Sequence, residues 1–193
     1  MPNSLINIYK KVDEYYTPPI LVEPIIKHLN NWLDKQLYNR KPIILCPFDT
    51  IDSEFVIALS KLNDFEVKYG HISTGQDFFT YDYGHYDIII SNPPFSHKKE
   101  IFSKLLKANI PFALICNMMI INYQEIANLF SDYKIQILAF DKKVSFNGNT
   151  TSFASGYFCN NFLCKDLLFE KLANNNTGKH FTASKMLKIC TNN

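Results

Sequence analysis

Short unbroken apolar runs alternate along this chain with stretches in which apolar residues recur three and four positions apart. The runs at 43–48, 65–70, 87–91, 111–116, 134–140 and 157–159 are rich in β-branched and aromatic residues and bounded by breakers, which predicts buried strands. Between them, Ile25, Leu29, Trp32 and Leu33 set an amphipathic helix over 20–37, with Pro19 in its first turn. Phe55, Val56, Leu59 and Leu62 set a second, capped by Asp52 or Ser53. Ile101, Phe102, Leu105 and Leu106 set a third over 97–109, with Ser96 as its cap, and 123–130 reads as a fourth. Strand and helix in regular alternation predict an α/β chain with right-handed crossovers and a mainly parallel sheet.

The ends of the chain depart from this rhythm. The first dozen residues read as a short helix or a tether. A polar stretch over 142–153 precedes the strand at 157–159, as in a late hairpin. A short helix is expected over 167–172, an Asn-rich loop over 174–178 and a final helix over 182–189.

Composition bounds the class. A chain of 193 residues, 47% of them hydrophobic, buries a full core and is expected to form one domain over 1–193. A net charge of +2 permits nucleic-acid binding without demanding it. The abundance of Asn, Ile, Lys, Tyr and Phe suggests an AT-rich coding genome, such as that of a low-GC bacterium or its phage. Cys46, Cys116, Cys159, Cys164 and Cys190 are scattered, with no CxxC pair and no zinc spacing. They read as buried free thiols in a reducing cytosol, and no metal is expected. No apolar run is long enough to span a bilayer and no leader is evident, so a cytoplasmic location without membrane attachment is expected.

The chemistry concentrates at Asn92-Pro93-Pro94-Phe95, directly after the strand at 87–91. Two prolines fix φ and force the residue before them extended, giving a stiff corner at a strand's carboxyl end. Open α/β sheets place their ligands at such ends. The Asn92 side-chain oxygen and the Pro93 carbonyl are acceptors, with an aromatic face beside them. That set suits a flat ring carrying an amino group whose lone pair is aimed at an electrophile.

Asn-Pro-Pro-Phe after a hydrophobic strand resembles the catalytic motif of the amino-methyltransferases that use S-adenosylmethionine (SAM), and within them the adenine-specific DNA methyltransferases. The resemblance implies a three-layer Rossmann-like sheet, mostly parallel with an antiparallel final strand. It also implies catalytic roles for Asn92, Pro93, Pro94 and Phe95. Tyr16-Thr17-Pro18, ahead of the first core helix, is similar to the family's amino-terminal SAM-binding motif, so that 1–40 would close over the cofactor and 166–193 would form a helical tail. Cys46-Pro47-Phe48-Asp49 resembles the cofactor loop of the EcoRI-type branch. It holds no glycine, where most such enzymes carry a Gly-rich turn. Asp49 and Asp52 would suit the methionine amine. His71 stands where the family usually has a ribose-binding carboxylate, and Asp77 with Phe78 resembles the motif that holds the cofactor's adenine. Phe146 is the expected second wall for the target base, with Phe153 next, and Lys98 is an expected phosphate contact.

The activity implied is direct methyl transfer to the exocyclic amine of adenine in DNA, the base being flipped out or supplied single-stranded. Alternatives are a methyltransferase acting on RNA or a protein glutamine, and a silent methyltransferase-fold decoy that binds a partner protein. About thirty-five residues follow Phe158, fewer than the roughly 50 of a small domain. Sequence recognition is therefore expected to come from loops, a homodimer mate or a separate specificity partner, or to be very relaxed. Self-marking in restriction-modification is the biological role this implies.

Overall fold

Alternate residues of each central strand are buried on opposite faces, which divides the interior into two apolar clusters and the molecule into three layers. The computed structural model describes residues 16–36, 38–146 and 152–173. Nine strands occur among them: β1 (Ile43–Cys46), β2 (Glu66–Tyr69), β3 (Ile88–Ser91), β4 (Phe112–Asn117), β5 (Gln136–Phe140), β6 (Val144–Ser145), β7 (Ser152–Phe153), β8 (Ser155–Asn160) and β9 (Leu167–Glu170). Four α-helices accompany them: α1 (Pro19–Leu33), α2 (Glu54–Leu59), α3 (Lys98–Lys107) and α4 (Gln124–Ser131). Seven strands form one sheet in the order β2-β1-β3-β4-β8-β5-β9, and β6 with β7 makes a small hairpin.

Leu21, Ile25 and Leu29 of α1 and Phe55 and Leu59 of α2 cover one face, against Ile44, Ile88, Ile90, Ala113 and Ile115. Ile101, Phe102 and Leu105 of α3 and Ile126 of α4 cover the other, against Leu45, Ile89, Phe112, Leu114 and Phe158. The sequence period of two thus becomes two separate cores. The pairs β1–β2, β1–β3, β3–β4 and β5–β9 are parallel. The antiparallel strand is β8, inserted between β4 and β5. From β1 the chain goes outward to β2 and then returns to β3 on the other side of β1, so a topological switch point opens between the carboxyl ends of β1 and β3.

Three expectations are corrected. The segment 167–172 contains a strand, not a helix, because Leu167–Glu170 pairs with β5, for instance Leu138 with Leu168. Both α1 and α2 are shorter than their apolar stripes, ending at Leu33 and Leu59. Cys46, Cys116 and Cys159 are buried free thiols, whereas Cys164 is disulfide-bonded. The readings for the first dozen residues, 174–178 and 182–189 lie outside the described residues.

At the amino end of the sheet, Asp87 ties β1 to β3. Its carboxylate accepts from Arg40 Nη2 (2.7 Å) and Nη1 (2.8 Å) and from the Ile43 amide (2.7 Å). Burial opposes its charge, but the hydrogen bonds from Arg40 and Ile43 outweigh that and hold the carboxyl below its usual range. A depressed carboxylate stabilises above its unfolded pKa and loses that contribution as pH falls. Asp87→Ala should cost about 2 kcal/mol in urea unfolding at neutral pH. Arg40→Ala should cost less, because that guanidinium is exposed and water replaces its partner. The deficit of the Asp87 variant should shrink in acid.

Candidate active site

The corner after β3 is as stiff as its sequence demands. Ile88–Ser91 is buried throughout, Pro94 is extended (φ −58°, ψ 150°), and Phe95–His97 makes one 3-10 turn leading into α3. Ser96 lies inside that turn, and His97 occupies the helix N-cap without a side-chain bond, so the expected Ser96 cap is not formed. Pro93 is buried, Asn92 half-buried, and Phe95 is 43% exposed.

Asn92 and Phe95 face a shallow groove whose further walls include Asn117, Phe146, Phe153 and Ser155. The β6–β7 hairpin delivers both phenylalanines, with ring centroids 5.9 Å apart, and Phe146 is 6% exposed. Residues 92–95 and 146–153 are thereby brought to one place, as their reading as opposite walls for a base requires. Asn117 and Ser155 are register partners on β4 and β8 and were not singled out from the sequence, since polar residues ending strands are ordinary.

Lys98 also lines this groove, but not as expected for a phosphate contact. It is 8% exposed, and its ammonium lies 3.8 Å from the centroid of the Phe95 ring. Helix periodicity placed it outside the buried stripe, but the 3-10 turn rotates it under Phe95. A cation on one aromatic face fixes the ring and leaves the other face for a ligand.

The crevice between β1 and β3 is closed by a buried carboxylate. The Asp49 amide donates to the Gly70 carbonyl (3.0 Å), and its carboxylate accepts a short hydrogen bond from Ser91 Oγ. Ser91 immediately precedes Asn92, so the loop after β1 is hydrogen-bonded to the base of the proline corner. Burial raises the Asp49 carboxyl to about 6, against hydrogen bonds from Ser91 and Ser53 that pull it down. Ser53 caps α2 by accepting from the Val56 amide (3.3 Å).

The remaining predicted residues divide. Thr17 is buried, and its hydroxyl has no hydrogen-bond partner among the described residues. Tyr16 is 61% exposed and Pro18 half-buried, with the Pro18 carbonyl accepting from Leu21. The entry to α1 is fixed to the sheet by Tyr157, whose hydroxyl donates to the Leu21 carbonyl (2.8 Å). Cys46 is buried, its thiol pushed well up by burial, and its side chain belongs to the core. Pro47 and Asp49 are buried as well, and Phe48 is the half-buried residue of this segment. His71 caps a 3-10 turn through Ser73. Asp77 Oδ1 accepts from the Phe79 amide (2.9 Å). Phe78 is buried and packs edge-on against Phe48 (5.0 Å), whereas Phe79 and Ile72 are 40% and 63% exposed at the same end of the sheet. The aromatic presented outward is therefore Phe79, one residue on from the predicted Phe78.

The profile of a family described as "Adenine-specific methyltransferase EcoRI" matches residues 81–185, more than half of the chain and all of the corner, the groove and Lys98. The chain belongs to this EcoRI-type adenine-specific methyltransferase family. The Escherichia coli type II methyltransferase M.EcoRI is 41% identical over 49 residues, 25% of this chain and 15% of that protein, so the match spans only a small part of its length. A solved structure, the methyltransferase subunit of a type I restriction-modification system from Streptococcus thermophilus, overlaps 82% of this chain and 47% of its own, with a TM-score of 0.48 and 11% identity.

Two features of this EcoRI-type chain are compatible with a bound SAM. The buried Thr17 hydroxyl has no partner among the described residues, and leaving such a group unsatisfied costs roughly 1–3 kcal/mol, which a ligand's polar atom would relieve. The Asp49 carboxylate is held ionised in a dry site at a cost, and a ligand ammonium would relieve it. The rise from 3.8 to about 6 corresponds to about 3 kcal/mol against folding with Asp49 charged. That cost is absent in acid and grows as pH rises through the folded pKa. Asp49→Asn should therefore unfold at the same or a higher temperature than the unsubstituted chain at pH 7.5 while losing SAM affinity in calorimetry. The unsubstituted chain's own SAM affinity should fall below about pH 6. Loss of folding and binding together would assign Asp49 a structural role only.

Proposed function

We propose that this chain transfers a methyl group from SAM to the exocyclic N6 amine of adenine in DNA. The observation that carries the reading is the groove in which Asn92 meets three aromatic walls, Phe95, Phe146 and Phe153. Flat walls favour a planar nucleobase over the small amide of a glutamine side chain. The Asn92 oxygen and the Pro93 carbonyl accept the two amine hydrogens and turn the nitrogen lone pair toward the β1–β3 crevice. Phe95, steadied by Lys98, stacks on the base, and the β6–β7 hairpin closes over it. Membership of an adenine-specific family supports the choice of base.

SAM, when bound, supplies the electrophilic methyl group. Thr17, Asp49, Asp77 and Phe79 are the residues of this chain that would hold it, with Tyr16, Phe48 and His71 at the margin. The chain's own contribution is position: two acceptors and a stacked ring hold the amine in line, which alone is worth several kcal/mol of barrier. The base must leave a duplex or arrive unpaired to bring its amine to the Asn92 and Pro93 acceptors. Selection of a recognition sequence falls to surfaces outside this groove.

Calorimetry with SAM, paired with transfer of labelled methyl groups to adenine-containing DNA, tests the proposal. SAM should bind, DNA should be labelled, and Asn92→Ala should lose about a hundredfold or more in transfer while still binding SAM. Absence of SAM binding, or transfer undiminished in Asn92→Ala, would overturn it.

A further inference from the structure

Asn117 lines the aromatic groove together with Asn92, and the fold fixes the direction of its hydrogen bonding. Strands β3 and β4 run parallel with Ser91 opposite Leu114, so Asn92 and Asn117 lie at the same, carboxyl end of neighbouring strands. Ile115, two residues before Asn117 and on the same face of β4, also lines the groove. This strand end is firmly held. Asn117 pairs with Ser155 of β8, and the next amide, that of Met118, donates to the Ala154 carbonyl (2.7 Å). Gly156 lets Met118 lie against β8, since a Cβ there would stand 2.5 Å from Met118 Sδ and 2.9 Å from the Leu138 carbonyl. Asn117 Oδ1 accepts from the Met119 amide (2.9 Å), where the chain enters a 3-10 turn over Met118–Asn122. A backbone N–H can be met only by an acceptor, so this bond orients the side-chain amide. The end that the turn does not use is Nδ2, which carries two N–H donors and no acceptor.

We propose that Asn117 Nδ2 donates to the N1 ring nitrogen of the target adenine and so determines which bases the groove accepts, an inference that rests on the adenine-DNA reading above. That reading sets the exocyclic amine on two acceptors, the Asn92 oxygen and the Pro93 carbonyl. The neighbouring ring position of adenine is N1, a lone pair that loses its partner when the base leaves a duplex. A groove offering acceptors alone would leave this lone pair unmet among the rings of Phe95, Phe146 and Phe153, and an unmet acceptor opposes binding. A donor beside two acceptors complements adenine's edge, which presents an amine and then a lone pair. Guanine and thymine present a carbonyl and then an N–H, which would set acceptor against acceptor and donor against donor. Cytosine shares adenine's order, so Asn117 excludes guanine and thymine and leaves the choice between the two amino bases to the rest of the groove. The hydroxyl of Ser155, its register partner, can donate or accept and imposes no such direction.

The test compares transfer of labelled methyl groups to DNA carrying adenine or 1-deazaadenine, in which N1 is a C–H, at the target position. Each is placed opposite an abasic site, so that neither base has a pair to break. The unsubstituted chain should lose about ten- to a hundredfold in kcat/KM on the analogue. Asn117→Asp keeps an oxygen for the Met119 amide and puts a second oxygen where Nδ2 stands. It should bind SAM and unfold as the unsubstituted chain does, lose at least as much on adenine, and show no penalty for the analogue. Asn117→Ala, which carries neither donor nor acceptor, should likewise cease to distinguish the two bases. A merely structural role would instead lower transfer to both bases together and leave the analogue's penalty in place. Equal transfer to the two bases by the unsubstituted chain, or the full penalty retained in the variants, would overturn the assignment while leaving the adenine-DNA reading intact. Failure of the unsubstituted chain to methylate adenine in any DNA would overturn both.

Discussion

The hydrogen bond between Asp49 and Ser91 is the constraint on which the site depends. It joins the loop after β1, where a cofactor's charged end would lie, to the last residue of β3, where the reactive corner begins. Parallel pairing of β1 and β3, with Leu45 opposite Ile89, brings both loops to one end of the sheet, and the buried bond then fixes their separation. A carboxylate raised to about 6 is a poor choice for stability alone, since a neutral side chain there would avoid the cost of burying charge. Charge kept at such a cost, in a crevice and beside a reactive corner, is the pattern of a functional group.

Stiffness is the second theme. Pro93 and Pro94 fix the corner through the backbone, Lys98 fixes Phe95 through its ring, and Gly156 admits Met118 against β8. Each device holds something in place before a ligand arrives, as expected of a reaction whose rate rests on alignment. Lysine serves this interior purpose at position 98, where residue type alone suggests a solvated charge.

Much of this was legible in the sequence. The six principal runs all contain strands, the central ones at 43–48, 87–91, 111–116 and 157–159 because their apolar residues are covered on both sides, and the Asn92–Phe95 corner was readable because proline restricts φ whatever surrounds it. Phe146 and Phe153 were placed by their order in the chain relative to the corner, and the structure brings both to the groove. Other features depend on tertiary partners. Leu167, Leu168 and Phe169 form an apolar run too short for periodicity to decide, and pairing with β5 makes it a strand. Ser91 looks like any residue ending a strand until Asp49 is found beside it. The burial of Lys98 under Phe95 follows from the 3-10 turn ahead of the helix, and that of Phe78 from its packing on Phe48, and neither is visible in the periodicity.

The central claim, that this corner and groove deliver the N6 amine of adenine to a methyl donor, is most directly tested by the chemical identity of the product. DNA incubated with the chain and SAM would be digested to nucleosides and resolved by mass spectrometry. The account predicts N6-methyldeoxyadenosine as the methylated nucleoside. Methyl groups found only on cytosine N4, or only on a protein glutamine, would contradict it.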